Sequence, residues 1–324
     1  MEVSSFCNAN CVYCPHTAYK DNWQNRFLPL EIFAKLIPAF AKTKLIYLQG
    51  WGEPFTNPHF FDMLTLAKNA GCMVGTTTNG TLLNTEIIER LVAEGLDIIC
   101  FSLAGVDKKN DLIRKGTQLQ KVLSSIEQLH RAKNKYGNDN LKINIAFMLL
   151  HSGLDDLEKL PDFLRNIGVS QTVISSLSLV VDPAMAVELA LASGEKEYLE
   201  LKSRLFEIRE LSTKQDSGIY LHIVSPLLKP SVCSENISNA MVVGSDGSVS
   251  PCVMTRIPVK GENFYYFSGQ KQRLQNLAFG NIYDESLNTI WHQKEYRQFI
   301  RTFRKGCVPN ICRNCNKRFI DSLA

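Results

Sequence analysis

Apolar residues recur along this chain at two spacings. Runs at 44–48, 72–77, 96–101, 141–149 and 169–174 are short and rich in Ile, Val, Leu and Phe, so they are read as buried strands. Residues 2–6 are read as a short strand ahead of them, and 219–224 as a further strand at the margin of the sheet. Between the runs, apolar residues three and four apart predict helices over about 30–43, 58–70, 84–94, 117–135 and 155–166. Pro38 is expected to kink the first of these. Asn84 is expected to cap the third, with Gly95 just past its end. From Pro183 to about Lys214 the pattern is one long helix or two, with Glu195, Lys196, Glu197, Lys202 and Arg204 on a solvated face. Strands alternating with helices predict parallel β-α units. The fold class is α/β, a partial (β/α)6 TIM-like barrel over residues 1–225, with a small C-terminal module over 226–324. Two prolines within 225–230 mark the boundary.

The polar punctuation is uneven. Cys7-Asn8-Ala9-Asn10-Cys11-Val12-Tyr13-Cys14, Gly50-Trp51-Gly52-Glu53-Pro54, Thr78-Asn79-Gly80 and Ser102-Leu103-Ala104-Gly105 each follow the end of a predicted strand. Alone, each is ordinary turn chemistry. Together they line the C-terminal edge of a parallel sheet, where such folds bind ligands.

Ten cysteines, with no basic and apolar secretory segment at the start, point to a reducing, cytoplasmic setting and to metal or redox chemistry. Cys7, Cys11 and Cys14 are spaced Cys-x3-Cys-x2-Cys. Three thiolates on one loop suit three corners of a cubane iron–sulfur cluster and leave the fourth iron open. The competing readings are a zinc knuckle completed by His16, or three plain thiols. Cys72 and Cys100 are read as small buried hydrophobes. The runs flanking Asp246-Gly247 predict a hairpin that carries Cys252 back toward Cys233. With Cys312 and Cys315, these make four thiolates, enough for a second cluster or a zinc ion. Residues 287–305 are read as helical, with Trp291, Tyr296 and Phe299 as core anchors. The net charge of +4 is spread along the chain and makes no case for nucleic acid. No apolar run approaches about 18 residues, so no membrane span is expected.

The spacing of Cys7, Cys11 and Cys14, with Tyr13 before the third cysteine, resembles the signature of the radical S-adenosylmethionine (radical SAM) superfamily. In that family the open iron binds the amino and carboxylate groups of SAM. Gly50-Trp51-Gly52-Glu53 resembles the family's Gly-Gly-Glu motif with one residue inserted between the glycines. The resemblance implies that Glu53, with the carbonyls of Gly50 and Gly52, meets the SAM ammonium. It implies that Thr78, Asn79 and Ser102 meet the sugar or methionine part, and that Arg114 faces the carboxylate. The backbone carbonyl of Tyr13 would meet the adenine, and Met148 is either an adenine contact or a core residue. The layout Cys-x13-Gly-x4-Cys with a late Cys-x2-Cys resembles the twitch domain, a shortened SPASM domain. That implies Cys233, Cys252, Cys312 and Cys315 as ligands and leaves Cys307 over.

The implied cofactors are two [4Fe-4S] clusters and SAM. The implied activity is reductive SAM cleavage, followed by hydrogen-atom abstraction and an oxidation or bond formation supported by the second cluster. That would make the protein an oxidoreductase. Its electron donor would be a flavodoxin or ferredoxin. The alternatives are a redox-neutral epimerase or isomerase and, outside the family, a zinc-binding interaction module without catalysis. The substrate would be a small molecule or a peptide. With the first cluster cysteine at residue seven, no room is expected for a leader-binding domain, which favours a small molecule, a peptide without a leader, or a separate recognition partner. No general base is assigned.

Overall fold

The computed structural model describes residues 1–189, 192, 194–213, 218–225, 227 and 233–323. A seven-stranded sheet organises it: β1 (Leu45–Tyr47), β2 (Met73–Thr78), β3 (Ile98–Leu103), β4 (Lys142–Leu149), β5 (Gln171–Ser176), β6 (Gly218–Val224) and β7 (Ile320–Leu323). The spatial order is the sequence order. β1 to β6 run parallel, and β7 closes the far edge antiparallel to β6. The principal helices that cover or brace it are α1 (Phe60–Asn69), α2 (Thr85–Ala93), α3 (Leu119–Tyr136), α4 (Leu160–Ile167) and α5 (Glu195–Thr213), with α6 (Lys294–Arg304) in the C-terminal part.

Strand alternation sets which side meets the helices. In β4, Ile143, Ile145, Phe147 and Leu149 are buried in the main core, while Asn144, Ala146 and Met148 point to the other, concave face. α3 answers with Leu119, Val122, Ile126 and Leu129 on one stripe. Asn84 caps α2, its Oδ1 accepting from the Ile87 N–H at 2.8 Å, and Gly95 follows at φ 79°.

The structure moves several expected elements. Residues 2–6 are not a full strand: one parallel bridge joins Glu2 to Gln49. The Ser4 hydroxyl turns back on Phe6, and Ser5 N–H goes to the Arg26 carbonyl, so the backbone is shared between two neighbours. The sixth parallel strand is β6, expected only at the margin. The helix expected over 30–43 is two short pieces, Leu30–Ala34 and Ile37–Phe40, because Pro38 opens the second piece. The helix expected over 155–166 starts as a 3-10 stretch, His151–Lys159, before α4. The pattern from Pro183 is two helices, Pro183–Leu189 and α5, and its expected end at Lys214 lies outside the described residues.

In the C-terminal part, Val242–Val243 and Ser248–Ser250 form the expected hairpin, joined by Gly280–Asn281. A second hairpin, Asn263–Phe267 with Gln270–Leu274, turns at Ser268-Gly269, both at positive φ. The stretch 287–305 breaks at Gln293 into Leu287–His292 and α6. Tyr296 is fully buried and Phe299 nearly so. Most of the expected boundary at 225–230 lies outside the described residues. The chain then recrosses it, since β7 returns to the sheet of the first part.

Candidate active site

The cysteine loop and the residues just ahead of it are bonded to three neighbouring segments. Its residues Asn10 and Cys11 pair antiparallel with Lys115 and Arg114. Ser4 and Phe6, just ahead of it, accept from the Gly52 and Glu53 N–H groups at 3.1 and 2.9 Å. A Cβ on Gly52 would lie 2.2 Å from the Phe6 carbonyl oxygen, so only glycine allows this approach. Asn8, between two of the cysteines, accepts from Asn79 Nδ2 at 2.9 Å and donates to Thr81 Oγ1 at 2.7 Å.

Glu53 is 2% exposed. Its carboxylate accepts from Thr78 Oγ1 and from Asn79 N–H, both at 2.7 Å. Burial pushes its carboxyl up to about 7, against the pull of the Asn79, Thr78 and Phe55 donors and of Arg114. Arg114 is buried, and its guanidinium donates to the Tyr13 hydroxyl. Its Nε has no hydrogen-bond partner. Burial pushes the Cys7 thiol up to about 11 and the Cys14 thiol up to about 12, so without metal these thiols keep their protons at neutral pH.

The structure therefore brings Cys7, Cys11, Cys14, Tyr13, Gly52, Glu53, Thr78, Asn79 and Arg114 into one bonded set. Gly50 packs against Glu2 and the Ser4 carbonyl. Thr78 and Asn79 spend their groups on Glu53 and Asn8, so they hold the pocket's acid and loop in place. Ser102 is half-buried on the concave face, in register with Ala146. Met148, opposite Ser175, belongs to a second apolar group with Tyr13, Trp51, Leu179, Met254 and Tyr265. Sequence reasoning missed Asn8 and Thr81; both polar residues stand inside or beside motifs already singled out. It also missed Tyr265 and Leu274, although Ser268-Gly269 between two strand-like runs marks their hairpin.

Cys233, Cys252, Cys312 and Cys315 line one cavity of about 280 Å³, with Leu179, Met254, Tyr265 and Leu274 on its walls. Cys307 is exposed and outside that lining. Cys72 is buried and donates to the Phe40 and Thr43 carbonyls, and Cys100 is buried on β3. Among the described residues, no three Cys, His, Asp or Glu side chains converge tightly enough to hold a single metal ion. The donor chemistry fits iron–sulfur clusters: two all-thiol ligand sets, with a buried carboxylate and an unpartnered guanidinium nitrogen beside the first.

Residues 1–164 match the radical SAM superfamily, and residues 233–316 match the SPASM iron-sulfur cluster-binding domain. The chain belongs to the radical SAM superfamily. Its radical SAM domain binds a [4Fe-4S] cluster and SAM, and its SPASM domain binds further iron–sulfur chemistry. One relative is the tungsten-containing aldehyde ferredoxin oxidoreductase cofactor-modifying protein of Pyrococcus furiosus, 26% identical over 98% of this chain and 86% of its own. Another is the PqqA peptide cyclase of Gluconobacter oxydans, 21% identical over 98% of this chain and 82% of its own. Among solved structures, Streptococcus suis SuiB bound to S-adenosylmethionine superposes with a TM-score of 0.66 at 15% identity. That match covers 93% of this chain and 66% of SuiB, and it shows the shared fold. No helix among the described residues is long and apolar enough to cross a membrane.

Proposed function

We propose that the protein oxidises, or forms a bond within, a small organic substrate of the cofactor kind, which makes it a radical SAM oxidoreductase. When bound, the first cluster and SAM supply a 5′-deoxyadenosyl radical, and the second cluster supplies a one-electron acceptor. Cys7, Cys11 and Cys14 would hold the first cluster. Cys233, Cys252, Cys312 and Cys315 would hold the second. Glu53 would receive the SAM ammonium, and the free edge of Arg114 its carboxylate. Tyr13 holds Arg114 in place through its hydroxyl. Ser102 and Met148 would contact the rest of SAM from the concave face.

One observation carries the reading. A single apolar group, which includes Met148, reaches from Tyr13 in the first cysteine loop to Leu179, Met254 and Tyr265, which line the cavity of the second set. A substrate held there would lie between the residues that would hold the first cluster and those that would hold the second. Apolar walls keep water and stray hydrogen donors away. The end-to-end likeness to a cofactor-modifying protein supports a small molecule. The likeness to a peptide cyclase, over the same share of the chain, favours a peptide as the second reading.

The test is anaerobic turnover with dithionite, a flavodoxin or ferredoxin as alternative donor, and panels of small molecules and peptides. Formation of 5′-deoxyadenosine with a substrate two hydrogens lighter, or newly bonded, is the expected result. Cys312→Ala is expected to keep SAM cleavage and lose product. Absence of 5′-deoxyadenosine under all these conditions overturns the proposal. Hydrogen exchange with solvent, with no change in substrate mass, would assign epimerisation instead.

A further inference from the structure

The second hairpin, Asn263–Phe267 with Gln270–Leu274, has one closed edge and one open edge. Ser268 and Gly269, at φ 48° and 74°, form its turn, so Phe267 and Gln270 face each other across the ladder. Across such a turn the first pair exchanges both ladder bonds, and every second residue after it points its backbone groups outward. The outward residues are Phe264 and Tyr266 on the first strand and Lys271 and Arg273 on the second. On the first strand these groups are taken. Tyr266 N–H donates to the Val180 carbonyl at 2.7 Å, and the Tyr19 hydroxyl accepts from Phe264 N–H and donates to the Phe264 carbonyl. Among the described residues, nothing bonds the N–H or carbonyl of Lys271 or Arg273.

This open edge borders the second cysteine set. Gln272, Arg273, Leu274 and Gln275 line its cavity, and Gln272 accepts from Asn314, between Cys312 and Cys315, at 3.1 Å. A further cavity of about 460 Å³ shares Arg273, Leu274 and Gln275 and continues past Asn263 and Asn276. The faces of the edge strand differ. Lys271 and Arg273 share one face, where Lys271 Nζ lies 4.1 Å from the Phe264 ring centre. Gln272 and Leu274 share the other with Tyr265, toward the cysteines. Lys271 and Arg273 are exposed. The acid that meets them is Glu262, paired with Arg273 at 2.9 Å; both groups are largely exposed, so the pair is weak and readily exchanged.

We propose that this edge takes up an extended acidic peptide segment of a partner protein as an antiparallel third strand of the hairpin. The open N–H and carbonyl groups of Lys271 and Arg273 supply the main-chain pairing. Their side chains select acids at alternate positions, and Leu274 and Tyr265 favour apolar residues between those acids. A second copy of this chain fits worse, because antiparallel pairing of two such edges sets Lys271 and Arg273 against their own kind. The docked segment would lie at the mouth of the second cysteine cavity. Docking requires neither a radical nor turnover, so it stands apart from the proposed reaction.

The experiment is fluorescence anisotropy of a labelled Glu-Val-Glu-Val-Glu-Val peptide titrated with the full chain, reconstituted anaerobically. Binding that weakens with added salt is expected, with none for the Lys-Val counterpart. Lys271→Gln/Arg273→Gln is expected to raise Kd about tenfold. Arg273→Pro is expected to weaken binding more than Arg273→Gln does. Proline removes an outward N–H there and leaves the ladder bonds to the first strand in place.

A control on the peptide needs no protein variant. In an antiparallel third strand, the peptide's Glu nitrogens face the edge and its Val nitrogens face away. Methylating the Glu nitrogens is expected to abolish binding to the wild-type chain, and methylating the Val nitrogens to leave it. No binding of the acidic peptide, or binding that survives methylation of the Glu nitrogens, overturns the proposal. So does a dimer that Arg273→Pro disperses, which would assign the edge to a second copy of the chain. 5′-Deoxyadenosine is assayed on the same samples, so loss of docking and failure of the proposed reaction are read separately.

Discussion

Glu53 is where burial and hydrogen bonding contend most openly. Three donors converge on a carboxylate that water does not reach, and Arg114 lends charge from nearby. A SAM ammonium against that carboxylate would supply the counter-charge that burial otherwise makes expensive. Glu53→Gln keeps the shape but turns an NH2 toward groups that already donate, so a buried donor loses its acceptor. SAM affinity of the cluster-loaded protein is expected to fall at least about tenfold, about 1.4 kcal/mol, as read by equilibrium dialysis. Unchanged affinity would remove Glu53 from the SAM-binding set. Arg114→Lys makes a complementary case. A lysine ammonium lacks the planar fork that reaches Tyr13 with one edge and leaves Nε free. The same dialysis is expected to show weaker SAM binding, with iron in the first cluster retained; tight binding by the lysine variant would count against a carboxylate role.

At the scale of elements, the hairpin before Cys252 shows how a turn is held for chemistry. Asp246 accepts from Ser248 Oγ at 2.6 Å and pairs with the buried Arg256. The Arg256 carbonyl accepts from Trp51 Nε1 at 2.9 Å, which ties the hairpin to the Gly-Trp-Gly-Glu loop. Glu2 adds a second tie, accepting from Ser245 and from the Trp51 N–H. Burial alone would raise the Asp246 carboxyl. The Arg256 and Ser248 donors outweigh it and hold the carboxyl below the ordinary 3.8. Its folded value lies below its unfolded one, so its contribution is full above about pH 4 and is lost as the pH falls through the folded value. Asp246→Asn is expected to cost about 2 kcal/mol at neutral pH, less than a fully buried pair because Asp246 is partly exposed. It is also expected to flatten the stability profile below pH 4, as read by urea denaturation across pH. An unaltered acid limb would show that the pair is decorative.

This hairpin was legible because Asp-Gly between two β-branched runs encodes a turn locally. The cysteine spacings and the Asn84 cap were legible for the same reason: each is a short-range pattern. What escaped was non-local. Residues 2–6 have strand-like composition, yet their backbone hydrogen bonds are divided among Gln49, the 26–28 stretch, Gly52, Glu53 and Val243, which no local pattern records. Thr78 and Asn79 stand out in the sequence only as a turn motif, and their partners in the structure, Glu53 and Asn8, sit 25 and 71 residues away.

At the scale of the molecule, the two cysteine sets sit in parts of the chain that hold each other. Glu2 N–H donates to the Val243 carbonyl, Trp23 bridges to Val259, and Tyr19 bonds the Phe264 backbone. The strongest link is the tail. Only residues 316–319 separate Cys315 from β7, and within them Asn316 donates to the Ser178 carbonyl while Lys317 pairs with Glu235 at 2.9 Å. β7 then fixes this segment to the barrel by pairing with β6, and Asp321 receives both the Tyr198 hydroxyl and Lys202, each at 3.0 Å. The position of Cys312 and Cys315 thus depends on the edge of a sheet whose opposite end carries the first cysteine loop. Removing residues 320–324 would strip β6 of its outer neighbour and leave it a bare, half-apolar edge strand. Such a truncated chain is expected to reconstitute with about four irons in place of about eight, because the first loop keeps its supports while the Cys312–Cys315 loop loses its anchor. Light scattering is expected to show association through the exposed edge. A monodisperse truncated protein with its full iron content would mean that the cavity walls alone hold the second set. The return of the chain to the barrel would then serve only to cap the sheet.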